Sequence, residues 1–359
     1  MTARLIAHLD MEAFFASVEA MHHPEWKNEP IIVCVFSGRT ADSGVVSSAS
    51  YDARALGVKA AMPIVQAKTL SPQGHFVPVR HETYSEISES IFTAMYGFAD
   101  VVEIASIDEA YAELTQKCGS FESAEKKLRA FQENIKKDYS LTCSIGLASN
   151  KLVSKIASDE HKPNGFTLVT PDDVQSFLDP LSVKKLLGVG PKTEGELEKM
   201  GIRTILDIRR TSLSDLIKQF GSARGQWLFS SSRGIDESLL QPERERKQHS
   251  KIWTLVKDAS KWEEVKELVG ENAESLWNET AGKGQFFTQV SVMGVTSSLI
   301  QSSKSKTFNI PLSTREHFSQ ALEELYLQLM DNPLTYWRRI GIRVGGFASP
   351  PKQKRLGDF

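Results

Sequence analysis

Cysteine is scarce in this 359-residue chain: Cys34, Cys118 and Cys143 are widely spaced and odd in number. They fit neither a disulfide framework nor the paired spacing of a zinc site, so a reducing cytoplasm is the expected setting. Cys34 and Cys143 fall in apolar stretches and read as core. No apolar run approaches the roughly 20 residues of a membrane span. The N-terminus enters a strand pattern directly, without the charged-then-apolar start of a signal peptide. An excess of one charge is missing too. With 43 Lys/Arg against 45 Asp/Glu the formal net charge is −2, so total charge does not announce a nucleic-acid partner.

What is present is length, and a pattern of acids and glycines. A chain of 359 residues exceeds one compact core and implies about two to four domains. From residue 241 onward there are 17 Lys/Arg against 14 Asp/Glu, and the first 240 residues carry −5. An acidic front and a weakly basic back fit metal chemistry followed by a phosphate-binding surface, and fit ordinary surface scatter nearly as well.

Apolar runs predict strands over 5–9, 31–36, 45–49, 101–104, 110–114 and 143–148. They predict helices over 51–57, 81–96 and 121–138, with Tyr84, Ile87, Ile91 and Met95 on one face of the second. This order resembles a split β-α-β, ferredoxin-like sheet. Residues 171–235 read as short helices broken by glycines. There Leu187-Gly188-Val189-Gly190-Pro191-Lys192 before an amphipathic helix matches the helix-hairpin-helix pattern, whose backbone N–H groups can face a DNA phosphate. Residues 237–250 are polar and charged and read as a linker. Strands at 251–256, 285–296, 304–310 and 337–345, with helices at 260–280 and 313–330, predict a second α/β domain. Its helices bury Trp262, Val265, Val269, Ala273 and Leu276, then Phe318, Leu322, Leu325 and Leu329.

Three acids stand out: Asp10 at the end of an apolar strand, and the pair Asp108-Glu109 between two short β-like runs. Carboxylates in such places need something to offset their desolvation, and hard divalent cations would do so. In a two-metal mechanism, with ions about 4 Å apart, Asp10 and Asp108 would bridge both. Glu109 would hold the ion that activates the attacking hydroxyl, and the Met11 carbonyl would complete the other site. An acidic dipeptide alone reads better as a solvated turn; Asp10 together with the motifs below shifts the balance. Glu12 reads as a support or a solvent-facing acid.

Tyr51 and Arg54, three apart at a helix start, share a face that suits a triphosphate, with Ser48 adding a hydroxyl and Lys162 a cation. Taken singly, each is equally a core tyrosine, a surface arginine or a turn lysine. Of Phe14 and Phe15, one would pack in the core and the other could close on the sugar of a nucleotide as a steric gate. Spacing alone favours core for both.

Four stretches settle the kinship. They are Asp10-Met11-Glu12-Ala13-Phe14-Phe15-Ala16-Ser17-Val18-Glu19, Val35-Phe36-Ser37-Gly38-Arg39 with Ser50-Tyr51-Asp52-Ala53-Arg54, Ser106-Ile107-Asp108-Glu109-Ala110-Tyr111, and Lys162-Pro163-Asn164-Gly165. The sequence resembles the Y-family, translesion DNA polymerases of the DinB or polymerase IV branch, especially archaeal members, over essentially its whole length. The resemblance implies an α+β multidomain, right-hand polymerase. Residues 1–13 and 80–168 would form a ferredoxin-like palm, 14–79 small fingers and 169–236 a helix-hairpin-helix thumb. Residues 251–347 would form an α/β little-finger domain gripping DNA, and 348–359 a flexible clamp-binding tail.

By the same resemblance Asp10, Asp108 and Glu109 match the metal ligands for two Mg²⁺, with Mn²⁺ as a substitute. Ser48, Tyr51, Arg54 and Lys162 match triphosphate contacts, and Phe15 matches the steric gate. Relatives often carry Asp where Glu12 stands and Tyr where Phe15 stands. Gly188, Gly190, Lys192, Arg338, Arg339 and Arg343 would contact DNA phosphates without reading sequence; for the arginines a solvated strand edge also fits. Gln353, Leu356 and Phe359 are similar to a sliding-clamp (PCNA) peptide, shortened by one aromatic. Small fingers, with Ser47, Ala60 and Ala61 keeping the pocket roomy, imply low-fidelity lesion bypass. A monomer without proofreading exonuclease is expected. A nucleotide cyclase or two-metal phosphodiesterase would explain the acids but not the thumb glycines or the tail. A DNA-binding scaffold would explain the reverse.

Overall fold

The structure is a computed structural model and describes residues 3–243 and 245–348. Contacts divide them into two units, one within residues 1–35 and 45–243, the other within 36–44 and 244–359.

In the first unit strand β1 (Ile6–Met11) is buried at every position. Strands β2 (Ile31–Phe36), β3 (Gly44–Ala49) and β4 (His75–Pro78) make a small sheet in the order β3-β2-β4. Strands β5 (Val101–Ile104), β6 (Glu109–Glu113), β7 (Cys143–Ala148) and β8 (Phe166–Leu168) join β1 in the order β5-β6-β1-β7-β8. The pairings along β5-β6-β1-β7 are antiparallel, the ferredoxin-like arrangement, and β8 adds in parallel. The helices of this unit are α1 (Phe14–His22), α2 (Tyr51–Ala55), α3 (Ile64–Leu70), α4 (His81–Met95), α5 (Thr115–Cys118), α6 (Phe121–Tyr139) and α7 (Lys151–Glu160). A helical cluster follows: α8 (Val174–Leu178), α9 (Pro191–Lys199), α10 (Ile205–Arg210), α11 (Leu213–Phe220) and α12 (Ser222–Ser231).

The two faces of β1 differ because side chains alternate along a strand. Ala7, Leu9 and Met11 enter the main apolar core with Phe92, Leu128 and Ile145. His8 and Asp10 face the other way. On that side α7 lies against the backbone of β7 at Gly146, where a Cβ would fall 2.0 Å from the Ser154 carbonyl oxygen and 2.4 Å from the Ser158 nitrogen. Asn150 caps α7 by accepting a hydrogen bond from the Val153 N–H at 3.0 Å. This helix falls outside the helices read from periodicity.

The second unit is an antiparallel sheet in the order β11-β10-β12-β9, built from β9 (Gln248–Ala259), β10 (Phe286–Thr296), β11 (Gln301–Leu312) and β12 (Trp337–Ala348). Helices α13 (Lys266–Glu279) and α14 (Arg315–Leu329) share its core, where Val269, Leu276, Phe318 and Leu322 pack with Phe287, Val290 and Ile340.

Two expectations need correction. Residues 237–250 do not form a free linker. β9 already begins at Gln248, and the Gln241 N–H donates to Glu103 Oε2 at 2.9 Å. Leu240 is buried with Ile6 and Tyr111, and this one apolar side chain anchors a segment whose charges suggest solvent. The tail boundary moves as well, because Ala348 is the last residue of β12. Gln353, Leu356 and Phe359 lie outside the described residues. Among the described residues no helix is long and apolar enough to cross a membrane.

Candidate active site

Register brings the acids together. Asp10 on β1 lies opposite Glu109 on β6 and Ser144 on β7, and the Met11 N–H donates to the Asp108 carbonyl at 2.9 Å. One cavity of about 580 Å³ is lined by Asp10, Met11, Asp108, Glu109, Phe14, Phe15, Ser48, Tyr51, Arg54 and Lys162, together with Glu12, Ser47 and Ala60. All the metal and nucleotide candidates therefore share one space. Ala61, expected beside Ala60, does not line it.

Two lysines neutralise the acids. Lys155 Nζ lies 2.7 Å from Glu109 Oε1 and 3.6 Å from Asp10 Oδ2. Lys162 Nζ lies 2.8 Å from Asp10 Oδ1 and 2.7 Å from Asp159. His8 Nε2 approaches Glu109 Oε2 at 3.7 Å, while its Nδ1 meets Ser158 Oγ at 2.7 Å. Burial lowers the pKa of His8, so its ring is neutral near pH 7. Asp10 is pushed up to about 7, chiefly by burial, against the pull of Lys162. Glu109 is held well below the usual carboxylate range, first by the His8 ring beside it, then by Lys155. His8, Asp10 and Glu109 each offer a donor atom within 4.8 Å of the others. It is the two carboxylates, with their charge balanced by ammonium groups, that fit a hard divalent cation; the imidazole nitrogen of His8 is not a donor such an ion prefers. Asp108 stands at the edge, accepting a hydrogen bond from Ser106 Oγ at 2.5 Å.

Lys155 and His8 were not legible as site residues. The available signal was Lys151 and Lys155, two cations one turn apart in an otherwise apolar stretch. Lys151 pairs with Glu103 at 2.6 Å.

Glu12 is 3 % exposed, so it does not face solvent. It accepts from the Tyr51 hydroxyl, from Ser144 Oγ at 2.5 Å and from the Asn164 N–H at 3.3 Å. It thereby ties α2 to the strand end that carries Asp10. Ser50 caps α2, and Arg54 stacks its guanidinium 5.0 Å from the Tyr51 ring centroid while Nε donates to the Ala49 carbonyl. Phe14 is 2 % exposed and belongs mainly to the core; Phe15 is half-buried.

The expected DNA contacts lie on separate elements. Gly188 has φ +105°, a conformation that favours glycine, and Gly190 precedes α9, whose first turn carries Pro191 and Lys192. In the second unit Arg339 and Arg343 share a face of β12. Arg343 lies opposite Ser291 and Ser250, and Arg339 opposite Val295 and Thr254. Arg338 sits at a register shift. The Nε atoms of all three arginines find no hydrogen-bond partner among the described residues.

A ferredoxin-like sheet that presents carboxylates to a cavity walled by Arg54, Tyr51 and Lys162 defines a palm-type nucleotidyltransferase. Family models extend this. One described as the impB/mucB/samB family matches residues 9–159, a "DNA polymerase-iota, thumb domain" matches 184–236, and the C-terminal domain of the impB/mucB/samB family matches 246–357. DNA polymerase IV 1 of Methanosarcina mazei is 36% identical over 100% of both chains, and DNA polymerase IV of Nitrosopumilus maritimus 35% identical over 100% of both. Among solved structures, a Y-family DNA polymerase chimera, Dbh-Dpo4(243-245)-Dbh, has TM-score 0.90 at 30% identity, covering 96% of this chain and 99% of that one. The insertion ternary complex of Dbh DNA polymerase has TM-score 0.67 at 30% identity, with the same coverage. The chain belongs to the Y-family of DNA polymerases, in the DinB/polymerase IV branch, and is a DNA-directed DNA polymerase. Its fold includes the family's helix-hairpin-helix thumb and C-terminal little-finger domain. Members use divalent metal ions, and the acidic cluster is compatible with them.

Proposed function

We propose that this chain copies primed DNA templates past lesions at low fidelity, as a monomer in the cytoplasm and without proofreading exonuclease. The observation that carries the reading is the shared cavity. Acids, phosphate-binding cations and one half-buried aromatic line a space of about 580 Å³. Asp10, Asp108, Glu109 and the Met11 carbonyl would hold two Mg²⁺, for which Mn²⁺ could substitute. When bound, such ions lower the pKa of an attacking hydroxyl and stabilise charge on a leaving phosphate. Lys162, Arg54, Tyr51 and Ser48 bind the triphosphate of an incoming dNTP, and Lys162 then exchanges carboxylate partners for phosphate. Phe15 faces the sugar and excludes a 2′-hydroxyl. The small Ser47 and Ala60 leave the nascent pair loosely held, which weakens the geometric check.

The domain assignment accords with this reading: palm in 1–13 and 80–168, fingers in 14–79, thumb in 169–236 and little finger from the start of β9. Gly188, Gly190 and Lys192 of the thumb, with Arg338, Arg339 and Arg343, hold DNA by its phosphates. Gln353, Leu356 and Phe359 bind a sliding clamp. The test is primer extension with Mg²⁺ on intact and abasic templates. Insertion opposite the abasic site is expected, and clamp stimulation only when residues 353–359 are present. Absence of extension on any template would overturn the reading, and equal stimulation of the shortened chain would remove the tail's role.

The elevated pKa of Asp10 gives this reading a pH signature. Below about 7 Asp10 holds a proton that it must shed to act as a ligand. Mg²⁺ uptake at pH 6 should release about one proton, and release should vanish well above pH 7. Titration calorimetry in buffers of different ionisation enthalpy measures it. Uptake without proton release at pH 6 would show that Asp10 is already ionised beside Lys162 in the free enzyme.

A further inference from the structure

Phe15 is braced from behind. Its ring stacks on Tyr84 of α4 with centroids 4.3 Å apart and 19° between the planes, and His81 meets its edge at 6.2 Å. Tyr84 is completely buried and does not line the cavity. Its hydroxyl donates to Glu19 Oε1 at 2.5 Å. Glu19, 2 % exposed, also accepts from Arg80 through Nε at 2.9 Å and Nη2 at 2.6 Å. The four residues form two helical pairs. Phe15 and Glu19 are one turn apart on α1, and Arg80 and Tyr84 one turn apart at the start of α4.

Two helices can be joined with apolar side chains alone, and a buried carboxylate is costly unless fully paired. What the polar anchor adds is orientation. With its hydroxyl fixed, the Tyr84 ring cannot slide, and the stacked Phe15 ring is held at one angle to the cavity.

We propose that Tyr84, anchored by Glu19 and Arg80, is a positioning residue that sets sugar selectivity through Phe15. The proposal rests on the reading of Phe15 as the gate. A fixed ring rejects a 2′-hydroxyl because yielding would break the stack. A loosened ring turns aside and admits it. A deoxyribose makes no such demand, so loosening changes the ratio of ribo- to deoxynucleotide use more than polymerisation itself.

Single-nucleotide primer extension gives kcat/KM for a matched dNTP and rNTP. Phe15→Ala should lower discrimination most. Tyr84→Leu should lower it about tenfold, mainly by raising ribonucleotide kcat/KM, the scale of one lost aromatic stack. Tyr84→Phe, which keeps the ring and loses the anchor, should lower it about threefold. If Phe15→Ala changes the ratio and Tyr84→Leu does not, or if Tyr84→Leu slows both sugars by one factor, the proposal is wrong. If Phe15→Ala leaves the ratio unchanged, the gate reading fails and takes the proposal with it. Should Tyr84→Leu unfold, as circular dichroism would reveal, Tyr84→Phe and Glu19→Gln decide by the same ratio.

Discussion

Asp108→Ala is expected to slow primer extension on the order of 10³-fold, about 4 kcal/mol of transition-state stabilisation. Fold and DNA affinity should be left nearly intact. Asp108 is the cleanest of the three acids to test. Asp10 is salt-bridged to two lysines and Glu109 to one, so removing either also strands a cation. Asp108 is half-buried and accepts one hydrogen bond, from Ser106. Its loss should change stability by no more than about 1 kcal/mol. Single-turnover extension, thermal melting and fluorescence anisotropy on a primed duplex separate the three effects. A variant within tenfold of the parent rate would remove Asp108 from the metal ligands.

Lys155→Met should have the largest effect on stability. The methionine keeps the stem of the side chain and deletes its charge, leaving Glu109 and Asp10 facing each other. Breaking a buried pair costs about 3–5 kcal/mol. Here the figure falls to about 2, because Glu109 is 28% exposed and can turn to water. For a unit of this size that is a drop of roughly 4–8 °C in Tm without metal. Saturating Mg²⁺ should narrow the gap, since a bound cation restores the missing charge. The sign with pH follows from Glu109, whose folded pKa is depressed. Its contribution is present above its unfolded pKa and lost as pH falls. The difference between parent and variant should therefore be greatest near neutrality and shrink on acidification. Equal melting temperatures without metal at pH 7 would show that Lys155 does not compensate the acids.

The parts of this molecule that were legible from sequence are those set by local pattern. The apolar run of β1, the period of α4 and the helices of the second unit come from apolar spacing, and Asp10 stood out as a charge at the end of such a strand. The glycines of the thumb turn were readable because a Gly-rich turn stands directly before an amphipathic helix. The missed features depend on pairs far apart in the chain. Lys155 meets Glu109 across 46 residues, and Glu12 meets Tyr51 across 39. Neither follows from composition, because the partner depends on the rotation of a helix against a sheet. The Glu19, Arg80 and Tyr84 cluster was hidden for the same reason: Tyr84 reads as one more core aromatic until its hydroxyl is seen to have a destination. Leu240 shows the opposite error, where surrounding charges masked one apolar anchor.

Gly146 gives this architecture its weakest point. It allows α7 to touch the backbone of β7, and through that contact Ser158 reaches His8 and Lys155 reaches the acids. A single methyl group there would act as a wedge. It would lift the helix, withdraw the ammonium from its carboxylates and disable the centre without altering any charged residue. The tolerance of this enzyme to mutation is thus limited at a position with no side chain, where steric room and charge balance are the same constraint.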